Sequence, residues 1–275
     1  ASVGVFAFSI AFPWGYDAAT LPQKAEVLRQ IIYGYTAVTA AVGFVVWFTL
    51  RGLDSEQTGE QSAPVSHFFR QIKHVIRLRV VWLQSTVLIC AYTSYKAFDQ
   101  YALFAVRGHG IDEVDAAQMV AVGAWARPVA ALGLGLLGDR LGISRMALLC
   151  FVLLIFSHSL FAFTGNAMGT LTLILLNTLV TCIAIFGLRG LYFGLLQEGQ
   201  IPLAFTGTAV GLVSVLGYAP DIYIAAVAGF LIDRSPGLEG FQHLFMLLLG
   251  FSIAGAIAAI LFEREAKRAP GHLPV

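Results

Sequence analysis

Apolar residues fill this chain in blocks long enough to cross a bilayer, with short polar segments between them. A spanning helix needs roughly 20 apolar residues. The pattern predicts a lone span at 28–50, a hydrophilic stretch at 51–79, and then six spans at about 80–105, 116–137, 146–163, 170–196, 206–232 and 241–262. Residues 1–14 are apolar but too short to cross, and they lack the basic start of a signal peptide. They read as the end of an earlier helix in a chain cut at its N-terminus, a fragment. Within the hydrophilic stretch, 54–62 is linker-like, and 65–78 alternates apolar and basic residues like a helix lying at a membrane surface.

Composition agrees with that pattern. The chain is 58% hydrophobic and 12% charged with a net charge of +1, and its mean hydropathy is +0.78. One buried core cannot absorb so much apolar surface, so lipid is the solvent for most of the chain. A near-zero net charge gives no reason to expect nucleic acid as a partner. Cys90, Cys150 and Cys182 lie singly inside apolar runs and read as packing residues, with no disulfide framework and no metal site.

Basic loop residues orient the chain. With 51–79 in the cytoplasm, that side collects Arg51, Arg70, Lys73, Arg77, Arg79, Arg140, Arg145, Arg264, Lys267 and Arg268. The other side holds Lys24, Arg29, Arg107 and Arg234. The segments are therefore 1–50 ahead of a cytoplasmic central loop 51–79, a six-helix region 80–262 and a cytoplasmic tail 263–275. Gly135-Leu-Leu-Gly-Asp-Arg140 closes one span and Gly229-Phe-Leu-Ile-Asp-Arg234 closes the span three helices later, each after an intrahelical proline, Pro128 and Pro220. Three helices reverse the topology, so the two copies end on opposite sides, as an inverted three-helix repeat requires.

Five ionisable residues lie within the spans: Lys96, Asp99, Arg127, Arg189 and Asp221. Each costs about 2.5–3.5 kcal/mol at a helix centre on insertion scales, so each needs a partner, a cavity or a task. Tyr92, Tyr95, Lys96 and Asp99 share one helix face by their spacing. Gly207, Gly211, Ser214, Tyr218, Asp221 and Ala225 form a small and polar stripe, and Gly187, Gly190 and Gly194 surround Arg189, where glycine lets helices approach closely. Structural roles compete with these readings. Lys96 and Asp99 can form a self-contained ion pair, Arg127 can pair with Asp221, Arg189 can snorkel to headgroups, and His158 can be a core histidine. No nucleophile motif, phosphate loop, metal-ligand spacing or acid–base cluster is present, so an enzyme is not expected, nor is a cofactor.

Gly135, Asp139, Arg140 and Gly142 match a Gly-x-x-x-Asp-Arg/Lys-x-Gly motif, with Ile143 and Ser144 in place of its usual basic pair and Arg145 restoring charge. Residues 198–211, with Pro202, Thr206, Gly207 and Gly211, match a second, looser pattern. On these residues the chain resembles the C-terminal portion of a major facilitator superfamily transporter, from the end of helix 5 through helix 12. The 216–224 segment resembles bacterial inner-membrane members of that superfamily. The resemblance implies an all-α integral membrane protein, namely the six-helix C-terminal half of such a bundle, as two inverted three-helix repeats, plus one complete preceding helix and a helix stub.

It further implies secondary active transport of a small organic solute by alternating access in the cell membrane, with protons as a coupling partner in symport and the N-terminal half completing the site. An anionic or polyhydroxyl solute is favoured, because the spans hold three cations against two carboxylates. Lys96, Arg127 and Arg189 are the expected anion holders, and Tyr92, Tyr95 and Tyr218 supply hydroxyls and rings. Asp99 or Asp221 is the expected proton-coupling group, through burial. Gly135, Asp139, Arg140, Gly142 and Arg145 form the expected cytoplasmic gate. The alternative is a receptor or sensor of transporter-like build that binds solute without moving it.

Overall fold

The computed structural model describes residues 21–50, 71–165, 171–235 and 237–268. Every regular element among the described residues is helical. The chain divides into two compact units, Ala1–Phe68 and Phe69–Val275. The expected helix stub, the 54–62 linker, residues 65–70 of the surface segment and the tail beyond residue 268 lie outside the described residues.

In the first unit α1 runs Leu21–Leu50. Thr36, Thr39 and Thr49 each donate a hydroxyl to the carbonyl four residues earlier. Polar groups are thus satisfied inside the helix, as a lipid solvent demands.

The second unit begins with a helical turn at 71–75 and then α2 (Arg79–Ala97). Without leaving the helical path, α2 continues through a 3-10 turn Phe98–Gln100, one α-turn Tyr101–Leu103 and a π-turn Phe104–Gly108. There follow α3 (Glu113–Leu141), α4 (Ile143–Phe163), α5 (Leu171–Leu191) and a short α6 (Gly194–Glu198). The unit closes with α7 (Leu203–Gly217), α8 (Pro220–Arg234) and α9 (Leu238–Arg268).

Six stretches among the described residues are long and apolar enough to cross a membrane: α1, α3, α4, α5, the α7–α8 pair and α9. The described residues are therefore those of an all-helical, multi-pass integral membrane protein. The expected 80–105 span does not qualify on the same terms. Gln84, Ser85, Thr86, Thr93, Ser94, Lys96, Asp99 and Gln100 dilute its apolarity, and its pitch changes three times. Position explains the tolerance. α2 packs against α5, α7, α8 and α9, and its continuation against α3, so Gln84, Ser85, Thr93 and Ser94 are buried in protein. Beyond them Tyr101, Phe104, Phe161, Phe241 and Phe245 interlock, mostly edge to face, with ring centroids 4.7–5.8 Å apart.

α3 and α5 run parallel and meet at every fourth residue. Thr178 donates its hydroxyl to the Met119 sulfur at 3.8 Å. A Cβ added at Gly123 would stand 2.7 Å from the Cys182 sulfur, and one at Gly190 only 2.7 Å from the Ala131 carbonyl oxygen. Arg127 lies over Phe186 between those two contacts. The row is the i, i+4 ridge of each helix, and small residues on it bring the two backbones together. The crossing at Gly190 is tight enough to exclude any side chain.

The two prolines act differently. Pro128 leaves α3 unbroken, whereas Pro220 splits the expected 206–232 span into α7 and α8. Pro220 has no N–H for the Leu216 carbonyl. That carbonyl instead accepts from Ala219 N at 3.2 Å, and Asp221 N returns to Tyr218 O at 3.1 Å. The tightened turn ends α7 and starts α8 with Asp221 in its first turn. A carboxylate there is favoured by the positive end of the helix dipole.

Candidate functional site: an ionic and aromatic cluster around α2

Lys96 stands at the end of α2, immediately before the 3-10 turn, and Asp99 lies within that turn. Asp221 opens α8 just after the Pro220 break. The three charges therefore gather where two helices change pitch or stop. Lys96 Nζ is 3.0 Å from Asp99 Oδ2 and 3.4 Å from Asp221 Oδ1. Tyr92, one turn below Lys96, donates its hydroxyl to Asp221 Oδ2 at 2.9 Å. Both Asp221 oxygens are engaged, and both engagements reach across from α2.

The side chains of Lys96, Asp99 and Asp221 are 28%, 64% and 47% exposed. Both carboxylates share one ammonium. The cluster carries one formal negative charge in excess, because two carboxylates share one cation.

An aromatic group continues from the cluster. The Tyr92 ring meets Tyr218 edge-on at 4.7 Å and Tyr95 at 5.3 Å. Tyr95 meets Phe186 edge-on at 6.4 Å. Two guanidinium groups lie on these rings, Arg189 4.3 Å above the centre of Tyr95 and Arg127 4.6 Å above that of Phe186. Such stacking suits the weakly hydrated, planar guanidinium. Arg127 makes no ion pair with Asp221, whose two oxygens meet Lys96 and Tyr92. Its buried Nε has no hydrogen-bond partner.

Tyr92, Tyr95, Lys96, Asp99, Arg127, Arg189, Tyr218 and Asp221 thus form one connected group. Phe186 and Tyr192 belong to it and were not expected. The buried Tyr192 hydroxyl has no partner. Its backbone carbonyl accepts from Gln84 Nε2 at 3.1 Å. In an apolar run such residues look like ordinary packing side chains, and only their partners reveal them.

Polar residues on the far side of the unit make a separate group. Asn177 Nδ2 donates to Ser157 O at 3.1 Å, Thr181 donates to Asn177 O at 3.0 Å, and the Ser157 and Thr181 hydroxyls bond each other. His158 Nδ1 bonds Ser252 Oγ at 3.0 Å, while Ser252 donates to Leu248 O at 2.8 Å. The Ser252 hydrogen is committed to Leu248, so the hydrogen of the first bond sits on His158 Nδ1. His158 is fully buried and takes no part in the cluster around α2. His109, beyond the end of the α2 continuation, rests edge-on against Phe104. Burial holds its pKa below the usual histidine range, so it adds no charge at neutral pH.

At the opposite end of α3 lie the expected gate residues. Asp139 and Arg140 are exposed and make no ion pair among the described residues. A Cβ at Gly135 would meet open space, so close approach falls instead to Gly138, where a Cβ would stand 2.8 Å from Leu191. Gly142 does make the turn, at φ +100°. Its N–H closes α3 on Gly138 O at 2.9 Å, and its carbonyl starts α4 from Met146 N at 3.1 Å.

Contacts between elements here join Arg145 of the expected gate and its neighbour Ser144 to Glu198 and Glu263, which were not expected. Glu198 of α6 accepts from Ser144 N at 2.7 Å and Ser144 Oγ at 2.6 Å, capping α4. Arg145 reaches Glu263 at 3.0 Å, and Lys267 joins it at 2.6 Å. The described end of the 65–78 segment docks nearby, with His74 stacked on Phe205 at 4.5 Å and Gln71 accepting from Thr208 at 3.1 Å.

No family model matches the chain. Two curated proteins of Escherichia coli strain K12 are similar to it. The inner membrane protein YqcE is 24% identical over 275 residues, covering 94% of this chain and 61% of that protein. The inner membrane protein YihN is 21% identical over 277 residues, covering 96% and 62%. The chain therefore spans about three fifths of the length of the curated relatives it matches.

Proposed function

We propose that this chain belongs to a proton-coupled secondary transporter of the major facilitator type, resident in the inner membrane, that moves a small organic solute by alternating access. The observation that carries the reading is the Lys96–Asp99–Asp221–Tyr92 group. It places exchangeable charge on a polar helix packed within the bundle and at helix interruptions, the setting in which transporters build ion and substrate sites. The curated relatives are named as inner membrane proteins, which supports the location. In this reading residues 80–262 form the C-terminal six-helix half, and Gly135–Arg145 with Glu198 and Glu263 lies at the cytoplasmic gate.

Coupling follows from the charge count. A proton arriving on either carboxylate neutralises the cluster and leaves Lys96 one undivided partner. The two destinations differ. Protonating Asp221 removes the ion pair between α2 and α8, whereas protonating Asp99 commits Lys96 to Asp221 and tightens that tie. A solute that binds one state better draws the equilibrium towards it.

The test is solute-driven proton movement in proteoliposomes of the full-length protein, read with an internal pH dye against a panel of organic acids, sugars and amines. Wild type is expected to acidify or alkalinise the lumen with at least one solute, and Asp221→Asn to uncouple that flux. Intact coupling in both Asp99→Asn and Asp221→Asn would overturn the assignment.

A further inference from the structure

Lys96 is saturated by two carboxylates, and the other two intramembrane cations have none. Arg127 and Arg189 make no ion pair among the described residues, and each lies on an aromatic face. Both project from the α3–α5 seam. Phe186 lies opposite Arg127 and Gly190 opposite Ala131, so Arg189 sits level with the residue before Ala131. At 1.5 Å per residue the two arginines differ in depth by roughly 4.5 Å. The Gly190 crossing, which admits no Cβ, fixes that offset.

An unpaired cation in a span is costly to keep, and a guanidinium offers five donors in a fixed fork. Arg127 has a buried Nε with no acceptor. Two guanidinium groups resting on rings without a carboxylate leave donors unmet here, and the acceptor that would satisfy them is an oxyanion.

We infer that Arg127 and Arg189 form the anion-binding part of the site, taking the oxyanionic head of a small organic anion whose body rests on the rings of Tyr95 and Tyr218. This rests on the transport reading and refines it. The site divides into a carboxylate-rich part around Lys96 that handles the proton and an arginine part that handles the solute. Lys96 is not an anion holder in this division.

Thermal melting of the purified full-length protein tests it with probes that share a skeleton and differ in charge: glucuronate, glucose and glucosamine, then glycerol 3-phosphate and glycerol. The expected result is concentration-dependent stabilisation by one or both oxyanions and none by their neutral or cationic counterparts. Arg127→Gln and Arg189→Gln should each weaken apparent affinity roughly ten- to a hundredfold, as loss of a charge-assisted hydrogen bond does. Arg127→Lys, which keeps the charge and loses the planar fork, should recover part of it. Without ligand both glutamine variants should melt at or above wild type, because each removes an unpaired charge.

Three results would overturn the inference: stabilisation by glucose or glucosamine matching that by the oxyanions, no stabilisation by either oxyanion, or glutamine variants that keep full affinity. A lowered ligand-free melting temperature in both glutamine variants would also overturn it, by assigning the arginines to holding the helices together. If Arg127→Gln does not fold, Arg189→Gln and Arg127→Lys decide. Proton coupling that persists while any of these holds would leave the transport reading standing with a neutral or cationic solute.

Discussion

Two polar regions lie inside the apolar spans of this unit, and they solve the same problem in opposite ways. Between α4, α5 and α9, Ser157, Asn177, Thr181, His158 and Ser252 are neutral and sealed from solvent, each bonded to another of them or to a nearby backbone carbonyl. Around α2, Lys96, Asp99 and Asp221 are charged and partly open, and one cation is shared by two acids. A sealed group with one arrangement holds helices together. An open group with competing partners has more than one arrangement of similar energy, and a proton or a solute can choose between them. The sealed group also keeps two unmet acceptors, His158 Nε2 and Asn177 Oδ1, so it is charge with competing partners, rather than an unmet bond alone, that marks where a ligand is expected.

Breaking each region should therefore give opposite signatures. The largest expected effect is Lys96→Met, which leaves two acids with no counter-charge. Proton-coupled flux should fall on the order of a hundredfold, the scale of losing a key charged contact, while the melting temperature stays near wild type. A large loss of stability with normal flux per folded molecule would place Lys96 with the sealed group.

Next in size is the contrast between the two acids. Asp221→Asn should free α8 from α2 and raise the accessibility of single cysteines placed on α8 to a water-soluble thiol reagent. Asp99→Asn should lower it. Equal effects of the two variants would mean that Lys96 does not choose between them.

The sealed region should behave in reverse. Asn177→Leu removes the donor to Ser157 O and is expected to cost about 1–2 kcal/mol of stability, on the scale of interhelical hydrogen bonds in membranes, with transport per folded molecule unchanged. Ser252→Ala, which strips His158 Nδ1 of its acceptor, should cost about 0.6–1.7 kcal/mol by the same scale. Chemical denaturation in mixed micelles reads both.

The sequence exposed the open region more readily than the sealed one, for a physical reason. Charges stand out in a span because each is costly, so Lys96, Asp99, Arg127, Arg189 and Asp221 were visible as a set. Spacing alone placed Tyr92, Tyr95, Lys96 and Asp99 on one face. Serines and threonines bonded to their own helix look alike whether they face lipid or protein, and nothing in the order of residues singled out Asn177 or Tyr192.

Helix length was legible, but the fate of the prolines was not, since Pro128 and Pro220 carry the same local signal and only one ends a helix. Of the motif's glycines, Gly142 makes the turn, and within this unit the close approach is at Gly138 rather than Gly135. Which glycine faces a neighbour depends on rotation about the helix axis, and Gly138, three residues on, is the one that does. Glu198 and Glu263 escaped notice because their partners, Ser144 and Arg145, are distant in the chain.

The parallel row between α3 and α5 has a consequence for how this sequence can change over time. Gly123 faces Cys182, Arg127 faces Phe186 and Ala131 faces Gly190 with almost no slack. Mutations at these positions are not free to accumulate one at a time. Across homologues, residue volumes at 123 and 182, and at 131 and 190, should trade against each other, a larger residue at one tolerated only beside a smaller one at the other. The historical record of such paired exchanges would be a ruler for how closely the two helices have stayed together.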